Sequence, residues 1–290
     1  MGLDASVVAF LSGAKSKGVD FSKPVTIGRQ WILASANDLR KAFAVLGVDG
    51  DADQLVRDNI FGDFFFELLG AKQVDSVDVS GYEQATIIHD MNRPIPPEHH
   101  RRFSLVFDGG SLEHIFNVPQ ALANCMEMVE VGGYYALVTA GNNSLGHGFW
   151  QISPELIFRV FGPANGFRVE VVLLKEHWSE DWRVVKDPEV MRRRVELCNN
   201  SPTYICCIAQ RVALEEIFAV TPQQSDYVAN WGDYEGGPPA APGPSGTLRR
   251  LAGTLPFGVQ RALRRMFKPT YDPSCYRRVG EADVLRGRWS

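Results

Sequence analysis

A chain of 290 residues is long enough for one large α/β domain with extensions, and 45% apolar against 22% charged residues is the balance of a folded, water-compatible protein rather than a disordered or fibrous one. A formal net charge of −4 excludes a global attraction to nucleic acid, so no specific nucleic-acid partner is expected. No uninterrupted apolar window is long enough to span a bilayer, and the opening MGLDASVVAFLSGAKSKG lacks the basic segment and long apolar core of a secretory signal. The expectation is a cytoplasmic protein. The five cysteines, Cys125, Cys198, Cys206, Cys207 and Cys275, show no CxxC spacing, and the histidines form no recognisable ligand series. Neither a disulfide framework nor a metal is therefore expected.

Residues 1–22 read as a short amphipathic helical extension, with Val7, Val8, Phe10 and Leu11 supplying apolar contacts. A brief strand follows over Val25 to Ile27, and Gly28 allows a tight exit that leaves Arg29 and Gln30 as donors. Ser35 or Asn37 can cap a helix that runs to about Leu46, and a second helix is expected over roughly residues 54–69. The acidic loop GVDGDAD between them lacks the full oxygen-ligand progression of a calcium site. Short strands then end in Asp78 and Asp90.

The apolar run Phe103 to Phe107 ends abruptly in Asp108-Gly109-Gly110, with Glu113 and His114 just beyond. Three strand ends thus deliver aspartates, and in a parallel sheet such ends face one crevice. A crossover helix over Asn117 to Glu130 leads to a strand over residues 131–140, whose long exit carries GNN and GHG and brings His147 as a candidate base. Ser153 or Pro154 starts the next helix. Phe167 to Leu174 and Thr203 to Ile208 read as an antiparallel pair at the sheet edge, with Cys206 and Cys207 on opposite faces. GGPPAAPGPSG, residues 236–246, reads as a linker, and residues 247–290 as a basic tail suited to a membrane surface or a protein partner. The plainer reading is a partly disordered basic tail; where the tail meets a membrane, the protein would be peripheral to the inner membrane.

The stretch FDGGSLEHIFNVPQALANCMEMVEVGGYYALVTAGNNSLGHGFWQISPEL resembles the class I S-adenosylmethionine-dependent methyltransferase superfamily, especially methyltransferase-like proteins of bacterial surface-polysaccharide pathways. The similarity extends from residue 23 to about residue 231, within a methyltransferase-like domain expected over residues 23–235. It implies a Rossmann-like α/β fold, with a mostly parallel seven-stranded sheet and helices on both faces, and S-adenosylmethionine as cofactor. By the resemblance, Asp78 accepts from the ribose hydroxyls, while Asp90 and Met91 form the adenine pocket. Asp108 and Gly109 lie near the methionine end, and Glu113 and His114 border the substrate opening. The chain departs from the family at TIGRQW, residues 26–31, where a glycine-rich turn is usual and where Gly28, Arg29 and Gln30 would rebuild the cofactor-carboxylate site. The implied reaction is methyl transfer to an oxygen or nitrogen of a sugar or related small acceptor, with Asp108, Glu113 or His147 assisting deprotonation. The alternative is a degenerate methyltransferase fold acting as a scaffold or regulator in envelope or polysaccharide assembly.

Overall fold

The computed structural model describes residues 2–234 and 271–289, with Pro256 and Val259. Strand β1 (Gly2–Leu3) leads into helix α1 (Ala5–Ser16), whose first turn is capped by Asp4 Oδ1 accepting from the Val7 N–H at 2.9 Å. Val7 to Ala14 are buried without a break, so α1 is a core helix and not the amphipathic extension that its sequence led us to expect. Strand β2 (Pro24–Ile27) is wholly buried, and β3 (Trp31–Ile32) returns to pair with β1. Helix α2 (Ala36–Leu46) starts at a reciprocal capping box between Ser35 and Asp38 and stops at Gly47, which adopts φ 67°. The single helix expected over 54–69 is two helices, α3 (Ala52–Asp58) and α4 (Asp63–Leu68). The backbone between them is drawn to the β3 segment, with Ile32 N–H donating to Ile60 O and Gly62 N–H to Gln30 O.

Strands β4 (Asp75–Asp78), β5 (Ile87–Ile88) and β6 (Phe103–Asp108) follow. Helix α5 (Val118–Met128) crosses over to β7 (Val129–Asn142), and α6 (Pro154–Val160), capped by Ser153, leads to β8 (Phe167–Glu176). The chain continues through β9 (Asp181–Val185), α7 (Pro188–Met191), β10 (Thr203–Arg211) and α8 (Ser225–Tyr234), then β11 (Tyr276–Gly280) and α9 (Glu281–Leu285). The main sheet has the order β11-β9-β8-β10-β7-β6-β2-β4-β5. Its pairings leave β9 and β10 reversed and the other strands running one way, which makes a mostly parallel, doubly wound Rossmann-like sheet. It has nine strands rather than seven, because β9 and β11 extend the edge. Accordingly, β10 lies inside the sheet, between β7 and β8, and not at its margin.

Alternation along the strands divides the core into two layers. Leu105, Phe107, Val138 and Cys206 pack toward α1, α2 and α4, while Val106, Leu137 and Cys207 pack toward α5 and α6. The C-terminal end of α5 is held by the buried Arg211, whose Nη1 donates to Met126 O at 2.9 Å and to Val129 O at 3.0 Å. All five cysteines are free, and no helix among the described residues is long and apolar enough to cross a membrane.

Residues 271–289 lie within the stretch expected to be a basic tail, yet they are part of the folded body. β11 pairs with β9, α9 packs on α1, and Trp289 is 4% exposed with its ring 6.3 Å from that of Phe10. Apolar Val279, Val284, Leu285 and Trp289 draw this segment inward despite its arginines. The linker 236–246 and residues 247–270 lie outside the described residues, Pro256 and Val259 apart. The α1–α9 crossing depends on Gly13, where a Cβ would stand 1.9 Å from Val284 O and 2.4 Å from the Trp289 ring. Gly13→Ala is therefore expected to destabilise the fold by about 2 kcal/mol through overpacking. Urea unfolding measures this, and an unchanged midpoint would show that the crossing can relax.

Candidate functional site

Strand β2 is the point where the sheet changes direction of growth. The chain moves outward from it to β4 and β5, then returns to its other side for β6 and β7. Loops leaving β2, β4 and β6 therefore part at their C-terminal ends, and a cleft of about 420 Å³ opens there. A volume of this size suits a nucleoside-sized ligand.

Gly28, Arg29, Gln30, Asp78, Asp90 and Met91, all singled out in the sequence, line this cleft. Gly28 turns the chain at φ 69°, and a Cβ there would lie 2.9 Å from Ser111 Oγ. Gln30 is buried, and its Nε2 donates to Ile27 O and Gly28 O, each at 3.0 Å. Its Oε1 has no hydrogen-bond partner among the described residues. It sits over Gly109, where an added Cβ would come within 2.1 Å of it. Arg29 reaches the cleft but is committed to its rim: Nη2 donates to Asp63 Oδ2 at 2.6 Å, and the guanidinium lies 4.1 Å from the Phe61 ring centre.

Asp78 ends β4, with Oδ1 accepting from the Ser80 N–H at 3.0 Å. Asp90 Oδ1 accepts from the Asn92 backbone N–H at 2.9 Å and from Asn92 Nδ2 at 2.8 Å, bonds that hold its pKa below the ordinary carboxylate value. Met91 is 5% exposed between them and the core.

Asp108 does not reach the cleft. Its carboxylate is fully buried and accepts from the N–H groups of Gly110 at 3.0 Å, Ser111 at 2.7 Å and Leu112 at 3.1 Å. Gly109 is likewise absent from the lining, which takes Gly110 and Ser111 instead. A role for Asp108 as acceptor-side base is corrected on this geometry, because its oxygens are occupied by the turn that they hold. Burial, and then the neighbouring Glu113, push its pKa up to about 7 against the opposing pull of those amides.

Glu113 is also fully buried, and its Oε2 accepts from Thr139 Oγ1 at 2.6 Å. His147, more than thirty positions away in sequence, lies with Nε2 at 3.4 Å from Glu113 Oε1. Its ring centre is 5.0 Å from that of His114, which lines the cleft. The histidines are thus not dispersed, as spacing alone implied. His147 also lines a second cavity of about 330 Å³ with Asn143, Ser144, His177 and Tyr204. Sequence reasoning missed Ser111 and His89 in the cleft, and His177 in the second cavity. Ser111 carried a signal as the polar residue after GG, whereas nothing around His177 marked it.

No family model matches the chain, and no curated protein does either. Among solved structures, a geranyl diphosphate methyltransferase in complex with SAM is 12% identical, aligned over 71% of this chain and 85% of its own, with a TM-score of 0.39. The 1,6-didemethyltoxoflavin-N1-methyltransferase of Burkholderia thailandensis is also 12% identical, over 72% of this chain and 79% of its own, with a TM-score of 0.39. The branched-chain polyamine synthase of Thermus thermophilus is 14% identical, over 76% of this chain and 61% of its own, with a TM-score of 0.37.

The raised pKa of Asp108 sets a pH window for stability. The folded state holds this proton more tightly than the unfolded chain, whose value is 3.8, so the stabilisation is complete only below that value, decreases between there and about 7, and is lost as the pH passes through about 7. Urea unfolding of wild type and Asp108→Asn across that range should give a stability difference that shifts steadily against the wild type with rising pH. A difference independent of pH would show that Asp108 does not titrate in this window.

Proposed function

We propose that this chain is an S-adenosylmethionine-dependent methyltransferase acting on an oxygen or nitrogen of a small acceptor, such as a sugar hydroxyl of the kind found in surface polysaccharides. The observation that carries the reading is the cleft at the β2 switch point, lined together by Gly28, Gln30, Asp78, Asp90 and Met91. The bound cofactor would supply an electrophilic sulfonium methyl group. Asp78, at the end of the strand beside β2, would accept from the ribose hydroxyls. Apolar Val77, Met91 and Ile115 give flat surfaces to an adenine, with Asp90 at its polar edge. The buried, unpartnered Gln30 Oε1 is an acceptor suited to the cofactor's ammonium group, a fit that comes from this chain's own departure from a glycine-rich turn.

The second cavity is the acceptor side. Its polar lining of Asn143, Ser144, His177 and Tyr204 suits a hydroxylated compound, and it abuts the cleft through the His114–His147 contact. A solvent-reaching imidazole backed by a buried carboxylate, as His147 is by Glu113, can accept the proton that the nucleophile releases. Catalysis would otherwise rest on alignment of the two reactants across that contact.

A scaffold reading is favoured by the commitment of Arg29 to Asp63, which removes one expected donor from the cofactor. Isothermal titration separates the two. Purified chain should bind S-adenosylmethionine or S-adenosylhomocysteine at one site, and Asp78→Ala should weaken that binding at least about tenfold through the loss of a charge-assisted hydrogen bond. A chain that binds neither ligand would transfer the assignment to the scaffold. Unchanged affinity in a folded Asp78→Ala variant would remove the ribose contact.

A further inference from the structure

Glu113, His114 and His147 come from two segments and present one ligand atom each within 4.8 Å of one another. We infer that they form a binding site for a single late first-row divalent ion of the zinc type, lying between the two cavities.

The first support is the state of Glu113. Its carboxylate is fully buried, yet Oε1 makes no hydrogen bond among the described residues, an arrangement that is costly unless something else satisfies the oxygen. The approach of His147 Nε2 at 3.4 Å does not meet hydrogen-bond geometry. It does match the spacing of two ligands on one ion, since metal bonds of about 2.0–2.1 Å at tetrahedral angles separate neighbouring ligand atoms by about 3.3 Å. The His114 ligand atom lies within 4.8 Å of the other two, and its ring is exposed.

The second support is the way the ligands are held. Thr139 Oγ1 donates to Glu113 Oε2, fixing the carboxylate while leaving Oε1 turned toward the histidines. The His147 loop is anchored on the backbone of the same glutamate: Phe149 N–H donates to Glu113 O at 2.7 Å, and Gly148, at φ 78°, passes so close that a Cβ would lie 2.6 Å from that oxygen. The Phe116 and Phe149 rings, 5.8 Å apart and nearly perpendicular, join the two ligand-bearing segments again just beyond.

The donor set selects the ion. Two imidazoles and one carboxylate favour zinc and its late first-row neighbours over magnesium or calcium, which prefer all-oxygen shells. Three protein ligands leave a coordination position for an outside group, and a small oxygen-bearing molecule in either cavity could supply it. An ion on His147 excludes that ring from accepting a proton, so ion binding and proton acceptance are alternative states of the same ring; ion binding itself does not require methyl transfer and stands whether or not the cofactor cleft is used.

The test titrates chelator-treated full-length protein with Zn²⁺ against a chromophoric competitor, and with Co²⁺ while its visible d–d absorption is recorded. The expected result is one ion per chain, with affinity more than about 100-fold weaker in His147→Ala and in His114→Ala, beyond the loss typical of an outer-shell partner. The cobalt bands should shift in both variants. Thr139→Val, which keeps all three ligands, should weaken binding less. Absence of stoichiometric binding at micromolar zinc would overturn the assignment, as would equal affinity in a folded His114→Ala/His147→Ala variant.

Discussion

The Asp108 carboxylate lies out of water at the end of β6, where an unpaired charge would be strongly unfavourable, and three consecutive backbone N–H groups converge on it. The amides of a chain leaving a buried strand have lost their ladder partners, and this one side chain satisfies them together. With its backbone so held, Ser111 donates Oγ to Ile27 O at 2.6 Å and binds the β6 turn to the end of β2. Gly28 then turns away, its N–H donating to Val77 O at 2.8 Å, which brings β4 into the same unit. The floor of the cleft is in this way a continuation of the sheet. A residue that appeared in the sequence to be chemical equipment is the support on which that equipment stands.

The rim is built differently. Arg29 with Asp63 and the Trp31 indole N–H with Glu83 Oε1 at 2.7 Å join the rim to segments outside the strands; the first pair is partly buried and the second exposed. Such pairs contribute little to stability, commonly below about 1 kcal/mol each. The floor is thus tied by backbone hydrogen bonds of the sheet, and these rim contacts are made by side chains alone.

Much of this arrangement was legible in the sequence because parallel strands impose a rule: their C-terminal residues share one side of the sheet. That rule carried Asp78 and Asp90 to the same cleft from a one-dimensional pattern. It also carried Asp108 there, and failed, because strand position says nothing about whether a carboxylate turns outward or folds back onto its own amides. The pairing of Glu113 with His147 was beyond reach for another reason. It depends on a loop crossing directly over Glu113, for which the only trace is the glycine after His147. The C-terminal segment was misjudged through composition: the arginines of residues 277, 278, 286 and 288 face outward or pair locally, while Val279, Val284 and Trp289 between them face the core.

The docking of α9 on α1 places Ser16 Oγ 3.5 Å from Leu285 O, across a separation of 269 residues. Contacts of such range are formed late, since the intervening chain must first be confined. Part of the apolar surface of α1 therefore stays uncovered until a segment 269 positions away has docked. While α9 is undocked, that surface is open to non-native contacts, so aggregation competes with completion of the fold.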